Sequence, residues 1–304
     1  MSKLKIVDWY CHQGHQYEFF KTGHDFNLCG IRGDVPVWNE KHRPLNSNVK
    51  LVSEKDVLRT KYDIVMVRSP LNMRRYLPFI RNGAVPVAVV QTTSHYGMLS
   101  QVKNVVWNSK DVMNLCHKHY PGKKHFNIVH GFDPDEFTDL GLEDNGRILT
   151  VANVFRKRGN IMGYPLWQDL NKSFGKCDII GHGNVDISTK IKEAETFDEL
   201  IKAYNKYAIF LNTTIQSAMP RSRAEAAMCG LPIVSTDNFD ISRYFSTNGS
   251  IITNNVSEMK LGIKKLLESK DMRDEYGHHS REMAIKHFHI NDYISKWNQV
   301  FNGL

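Results

Sequence analysis

The sequence predicts an α/β protein made of two doubly wound domains. Three observations carry this. The 304 residues exceed what a single hydrophobic core ordinarily supports. Short β-branched runs alternate with helical patterns through both halves, the written form of a parallel sheet wrapped by helices. The turn-rich stretch Gly141-Leu142-Glu143-Asp144-Asn145-Gly146 separates two such series, as an interdomain linker does.

In order along the chain, strands are expected at 4–10, 26–29, 63–67, 86–91, 104–108 and 126–129 in the first half. After the linker they are expected at 147–153, 176–181, 208–212, 232–235 and 249–252, with helices around 193–207, 222–229 and 256–269. From Met272 to Phe301 the pattern is helical, with Tyr293, Ile294, Trp297, Val300 and Phe301 at helical spacing. The domains are read as 1–140 and 147–289, with a last helix at 290–304 returning to the first.

Composition narrows the classes. Hydrophobic residues make up 41% and charged residues 24%, and no stretch approaches the roughly 20 apolar residues of a membrane span. The start, Met-Ser-Lys-Leu-Lys-Ile-Val-Asp, lacks a signal peptide's apolar core, so a soluble, cytoplasmic protein is expected. Five cysteines, widely spaced and without a CxxC pair, argue for reduced thiols over a disulfide framework or zinc site. A net charge of +8 favours an anionic partner: a nucleotide, a nucleic acid or an acidic membrane face.

The most specific block is Pro220-Arg-Ser-Arg-Ala-Glu225-Ala-Ala-Met-Cys-Gly230-Leu-Pro-Ile-Val-Ser-Thr-Asp237. Proline opening a helix, glycine closing it and a β-branched strand following obey ordinary start and stop chemistry. The wording resembles the Glu-Ala-Met-Ala-Cys-Gly-x-Pro-Val-Val block of retaining GT-B glycosyltransferases, in particular the family with a Glu-x7-Glu motif. Further segments are similar in order and spacing: Lys21–Phe26, Val106-Trp-Asn-Ser109, Asn127–Phe137, Ile148–Gly159 and Ile179-Ile-Gly181-His-Gly183. The resemblance implies two Rossmann-like domains facing across a cleft, a nucleoside diphosphate sugar as donor, bound by the C-terminal domain, and transfer with retention. No cofactor and no metal are implied.

Breaking a sugar–phosphate bond leaves growing negative charge on the diphosphate, which cations or a helix N-terminus must meet. Arg158 stands at the family's phosphate-binding Lys position, and Arg221 or Arg223, with Ser222, opens the helix of Glu225. Glu225 takes the second Glu of the motif, which in the family accepts hydrogen bonds from the donor ribose; a carboxylate can accept two. Gly181 falls in the Val-Gly-x-Gly match. Three departures stand out. Ser217 replaces the first Glu, the usual contact to the transferred sugar; Asn153 replaces an Arg; and Pro220 replaces a Gly.

In the first half, Cys11-His12-Gln13-Gly14-His15-Gln16 occupies the place of the family's glycine-containing loop beside acceptor and phosphates. His95, in Ser94-His95-Tyr96-Gly97, resembles the family's His that hydrogen-bonds the sugar or acts on the acceptor hydroxyl. The histidine pairs 12/15, 117/119 and 287/289 lack carboxylate or thiol companions at ligand spacing, so no metal site is expected. Arg68, Arg74 and Arg75, with Lys3, Lys5, Lys21 and Arg32, suggest a basic face for an acidic acceptor. A compact phage-type or viral enzyme in the host cytoplasm, glycosylating a 5-hydroxymethylpyrimidine in DNA, is the acceptor reading that follows. An envelope glycan or lipid acceptor, a GT-B-type sugar-nucleotide epimerase and a noncatalytic nucleotide or nucleic-acid binder are the alternatives.

Overall fold

The computed structural model describes residues 3–68, 73–91, 102–185, 187, 191–245 and 248–304. The chain forms two compact units, Met1–Gly131 with Ile290–Leu304, and Phe132–His289.

In the first unit the chain runs β1 (Lys5–Trp9), α1 (Gln13–Phe20), β2 (Asp25–Cys29), β3 (Val49–Val52), α2 (Glu54–Val57), β4 (Ile64–Val67), α3 (Met73–Arg81), β5 (Val85–Val90), β6 (Asn104–Trp107), α4 (Lys110–Cys116) and β7 (Lys124–Asn127). All strand pairs are parallel, in the order β3-β2-β1-β4-β5-β6-β7. The central strands β4 and β6 are buried along their whole length, which is why Ile-Val-Met-Val and Asn-Val-Val-Trp read as continuous runs without polar alternation. Ser109 starts α4 by accepting a hydrogen bond from the Val112 N–H at 3.1 Å, an N-cap of the usual kind.

The second unit runs β8 (Ile148–Val151), α5 (Phe155–Arg158), α6 (Tyr164–Phe174), β9 (Cys177–Ile180), β10 (Ile191–Lys192), α7 (Phe197–Tyr204), β11 (Ile209–Asn212), α8 (Arg221–Met228), β12 (Ile233–Ser235), α9 (Ile241–Tyr244), β13 (Ser250–Ile252), α10 (Val256–Glu268) and α11 (Lys270–Phe288). Its sheet is again all parallel, in the order β10-β9-β8-β11-β12-β13. In both sheets the order reverses beside the first strand of the unit, and open α/β sheets bind ligands outside the strand carboxyl ends at such a point. Trp167, Leu170, Ile148, Ile179 and Leu211 fill its core. Helix α8 ends under Arg281 of α11, whose guanidinium donates to the Met228 carbonyl, an acceptor that the helix terminus leaves open, and to the Phe137 carbonyl.

The last helix, α12 (Ile290–Asn302), belongs to the first unit. Its Trp297, Val300 and Phe301 enter that core, with Trp297 edge-on to Phe19 at 4.7 Å. His24 fastens it: the Leu4 N–H donates to Nδ1, and Nε2–H faces Asn298 Oδ1 at 3.0 Å.

Four sequence expectations change. The chain passes between units at Gly131–Phe132, upstream of the boundary expected at 140. The stretch 141–146 is anchored within the second unit, where the Asn145 N–H donates to the Lys206 carbonyl and Asp144 pairs with Arg273 at 3.0 Å. Residues 13–16 form the first turn of α1 instead of a loop, because the His12 side chain caps the helix by accepting from the His15 N–H. Two edge strands, β3 and β10, add to those expected.

Candidate functional site

Because β8, β9, β11 and β12 are parallel neighbours, their carboxyl ends share one edge of the second sheet. The segments leaving that edge are 152–158, 181–184, 213–220 and 236–240. Asn153, Arg158, Gly181, Ser217, Arg221, Ser222 and Arg223, far apart in sequence, all lie on them or on the turn of α8 that follows.

The loops after β8 and β9 are locked together by backbone proximity. The Asn153 carboxamide oxygen accepts from the His182 N–H at 3.1 Å. A Cβ at Gly181 would fall 2.6 Å from that oxygen and closer still to the Ala152 carbonyl. Its φ of +141° is also one that side chains avoid. Gly181 is thus required by close approach, and Asn153 is spent on holding its neighbour. Similarly, Gly163 lets the segment after α5 pack against the Thr213 carbonyl, while the Ile215 and Gln216 N–H groups both donate to the Ile161 carbonyl.

Arg158 closes α5 with its side chain exposed. No described carboxylate pairs with it, and partial burial lowers its pKa without a counter-charge to offset the effect. A cation in that condition is suited to an anionic ligand.

The arginines of α8 turn into the protein. Arg221 pairs with Glu225 at 3.2 Å, both nearly buried, and its guanidinium lies 4.6 Å from the centre of the Phe132 ring. Glu225 also accepts from the Tyr204 hydroxyl at 3.0 Å. Arg223 is fully buried; one of its nitrogens donates to Ser235 Oγ at 3.0 Å and Asn238 Oδ1 at 2.7 Å. Its Nε and Nη2 have no hydrogen-bond partner among the described residues. Burial pushes its pKa down to about 9, with Asp237 opposing the shift. Ser217, half-buried, presents its carbonyl to Asn238 Nδ2 at 2.9 Å, and Ser222 is half-buried at the opening of α8. Tyr204, Ser235 and Asn238 are partners the sequence reading did not name. The four-residue spacing of Arg221 and Glu225 was the available signal for their pairing.

On the first sheet, Gly14 sits in the first turn of α1. The basic face expected there is largely neutralised. Arg68 is buried in a two-pronged contact with Asp8, with nitrogen–oxygen distances of 2.9 and 3.0 Å, and stacks 4.7 Å over Phe19. Burial opposes its charge, and Asp8 more than offsets this, leaving its pKa raised. Arg75 pairs with Glu54, Lys3 with Asp25 and Lys21 with Glu18. Lys5, Arg32 and Arg74 remain exposed. His95 and residues 69–72 lie outside the described residues. Among the described residues no helix is long and apolar enough to cross a membrane.

Residues 150–299 match a sequence family described as Glycosyl transferase-like. No curated protein matches the chain in sequence. Among solved structures it is similar to Anabaena HepE in complex with UDP and glucose, at 11% identity and a TM-score of 0.79, covering 99% of this chain and 100% of that one. A glycosyltransferase from Rickettsia africae is 16% identical with a TM-score of 0.71, covering 100% of this chain and 99% of that one. S. aureus TarM is 13% identical with a TM-score of 0.67 over 82% of this chain, which spans 57% of TarM's length. Two parallel, Rossmann-like units with these neighbours make the fold GT-B.

Proposed function

We propose that this chain, a glycosyltransferase of the GT-B fold, moves a sugar from a nucleoside diphosphate sugar to an acceptor hydroxyl with retention of configuration. The donor is assigned to the carboxyl edge of the second sheet and the acceptor to the first unit. One observation carries this reading: Arg158, exposed and without an ion pair among the described residues, ends the single turn of α5 that follows β8, on the edge where such sheets take ligands. The UDP and glucose bound to HepE support a UDP sugar as the donor.

In the proposed step the bond from the anomeric carbon to the leaving phosphate oxygen breaks, and the acceptor oxygen bonds to the same face. The phosphate oxygen takes the acceptor's proton. Side-chain charge serves in place of a metal: Arg158 meets the diphosphate, while Arg221 and Arg223 add charge from within α8. Glu225 and Ser217 are assigned to the ribose and sugar ends of the donor, Asn153, Gly181 and Ser222 to the surrounding wall, Gly14 to the acceptor side, and His95 to the acceptor hydroxyl.

For the acceptor, the net charge of +8 supports a 5-hydroxymethylpyrimidine in DNA, with enzyme and substrate in a host cytoplasm. The ion pairs of Lys3, Lys21, Arg68 and Arg75 leave less free charge for phosphates and favour a second reading, a glycan or lipid hydroxyl. The test begins with melting curves in the presence of UDP, GDP, ADP and dTDP with chelator present; stabilisation by one of them is expected. Labelled donor sugars are then offered with hydroxymethylated DNA, unmodified DNA, and glycan and lipid fractions. Label only in the hydroxymethylated DNA supports the first acceptor, and label only in a glycan or lipid fraction supports the second. Donor isomerised without acceptor points to an epimerase, and nucleotide binding without turnover to a binding protein. Binding that strictly requires magnesium or manganese refutes the metal-free site.

A further inference from the structure

Val154 adopts φ 50° and ψ 40°, the left-handed region that a β-branched residue enters only under strain. Such a conformation persists where the surroundings over-determine it, and here the surroundings are identifiable. Asn184, 1% exposed, reaches across from the loop after β9. Its Oδ1 accepts from the Phe155 N–H at 2.8 Å, and its Nδ2 donates to the Ala152 carbonyl at 2.7 Å and the Gly181 carbonyl at 2.8 Å. Val154 is therefore flanked on both sides by backbone groups that one side chain holds. Its own N–H donates to the His182 carbonyl at 2.9 Å, and its carbonyl accepts from the Arg158 N–H at 3.1 Å. The second bond defines the single turn of α5.

We propose that Asn184 is a positioning residue for donor binding: it ties the loop after β9 to the loop after β8, holds Val154 left-handed, and so fixes the turn that ends in Arg158. This rests on the donor reading above. Asn184 touches no substrate and acts through Arg158. Its carboxamide is the one group that satisfies a donor and two acceptors at once in this gap, and a carboxylate there would face two carbonyl oxygens.

The test measures UDP, GDP, ADP and dTDP affinity calorimetrically, with melting curves alongside, for the wild type, Asn184→Ala, Arg158→Ala, their double variant, Val154→Gly and Val154→Gly/Asn184→Ala. Asn184→Ala is expected to bind about tenfold more weakly, as loss of geometry at one charged hydrogen bond gives. The Arg158→Ala/Asn184→Ala protein is expected to bind no more weakly than Arg158→Ala alone. Glycine enters the left-handed region without strain, so Val154→Gly is expected to melt higher and, combined with Asn184→Ala, to recover most of the lost affinity. If Asn184→Ala alone does not fold, the Val154→Gly/Asn184→Ala protein decides, and nucleotide binding near the wild-type value supports the proposal. Unchanged affinity in Asn184→Ala, effects that multiply with Arg158→Ala, or no recovery with Val154→Gly overturns it while leaving the donor reading standing. A wild type that binds none of these nucleotides overturns the donor reading and this proposal together.

Discussion

Replacing Glu225 by alanine tests whether its surroundings have been read correctly. The resemblance alone suggests a donor-facing side chain whose loss spares the fold, but Glu225 is the partner of two buried groups. Its removal takes a carboxylate away from the Arg221 guanidinium, 8% exposed, and from the hydroxyl of the fully buried Tyr204. Breaking a buried ion pair from one side typically costs about 3–5 kcal/mol, far above the roughly 0.3–0.5 kcal/mol of an exposed pair at this helix spacing. At about 2–4 °C per kcal/mol for a unit of this size, the melting midpoint should fall by roughly 6–20 °C. Glu225→Gln, which keeps an acceptor for Tyr204, should fall less. Converting both partners, Arg221→Met with Glu225→Leu, should recover much of the loss, since apolar replacement of a buried pair is often neutral. Calorimetric unfolding reads all three. An alanine variant melting within about 2 °C of wild type would show that the pair contributes nothing to stability.

Arg158→Ala should leave the melting midpoint unchanged, because its side chain is exposed and unpaired among the described residues. Catalytic efficiency with the donor should drop about ten- to hundredfold; wild-type kinetics would remove Arg158 from the site. Gly181→Ala should destabilise the second unit and weaken nucleotide binding together, since the added methyl meets the Ala152 carbonyl and the Asn153 side chain; a soluble variant with the wild-type midpoint would contradict the close approach. Burial lowers the pKa of His24 from 6.5, with the Asn298 hydrogen bond opposing it. The folded state therefore favours the neutral ring. Its stabilisation is complete above about pH 6.5 and is lost as pH falls toward the depressed value, where the unfolded chain holds the extra proton. The melting gap between wild type and His24→Ala should narrow on acidification from pH 7.5 to 5; a constant gap would exclude this titration.

Most of the architecture was legible because parallel strands buried on both faces leave a local mark. Runs such as Ile64–Val67 and Ile209–Asn212 need no tertiary knowledge to be seen. Strand β3 escaped because Val-Lys-Leu-Val sits at a sheet edge after a long loop, and β10 because its two residues carry too little pattern. At the candidate site, sequence located the segments but not the directions of their side chains. Arg158, Arg221 and Arg223 look alike in a string. The difference between an exposed cation and one buried against Ser235 and Asn238 is made by β12 and the turn after it, which no local spacing encodes. The same holds for Arg68, whose partner Asp8 lies sixty residues away on β1.

The placement of α12 governs the order in which the protein can be completed. The second unit is one continuous stretch, Phe132–His289, whose two ends lie side by side: the Phe132 N–H donates to the Phe288 carbonyl at 2.8 Å, and Phe132 bridges His289. The first unit lacks Trp297, Val300 and Phe301 of its core until α12 is made. Nascent domains generally fold from the N-terminus onward, but here the half that emerges first must wait, its Phe19 without the Trp297 and Phe301 rings, while the half that emerges later closes on itself. A ribosome halted near residue 289 would hold a protease-resistant second unit tethered to an unfinished first one, and translation of α12 would be the event that closes the first core.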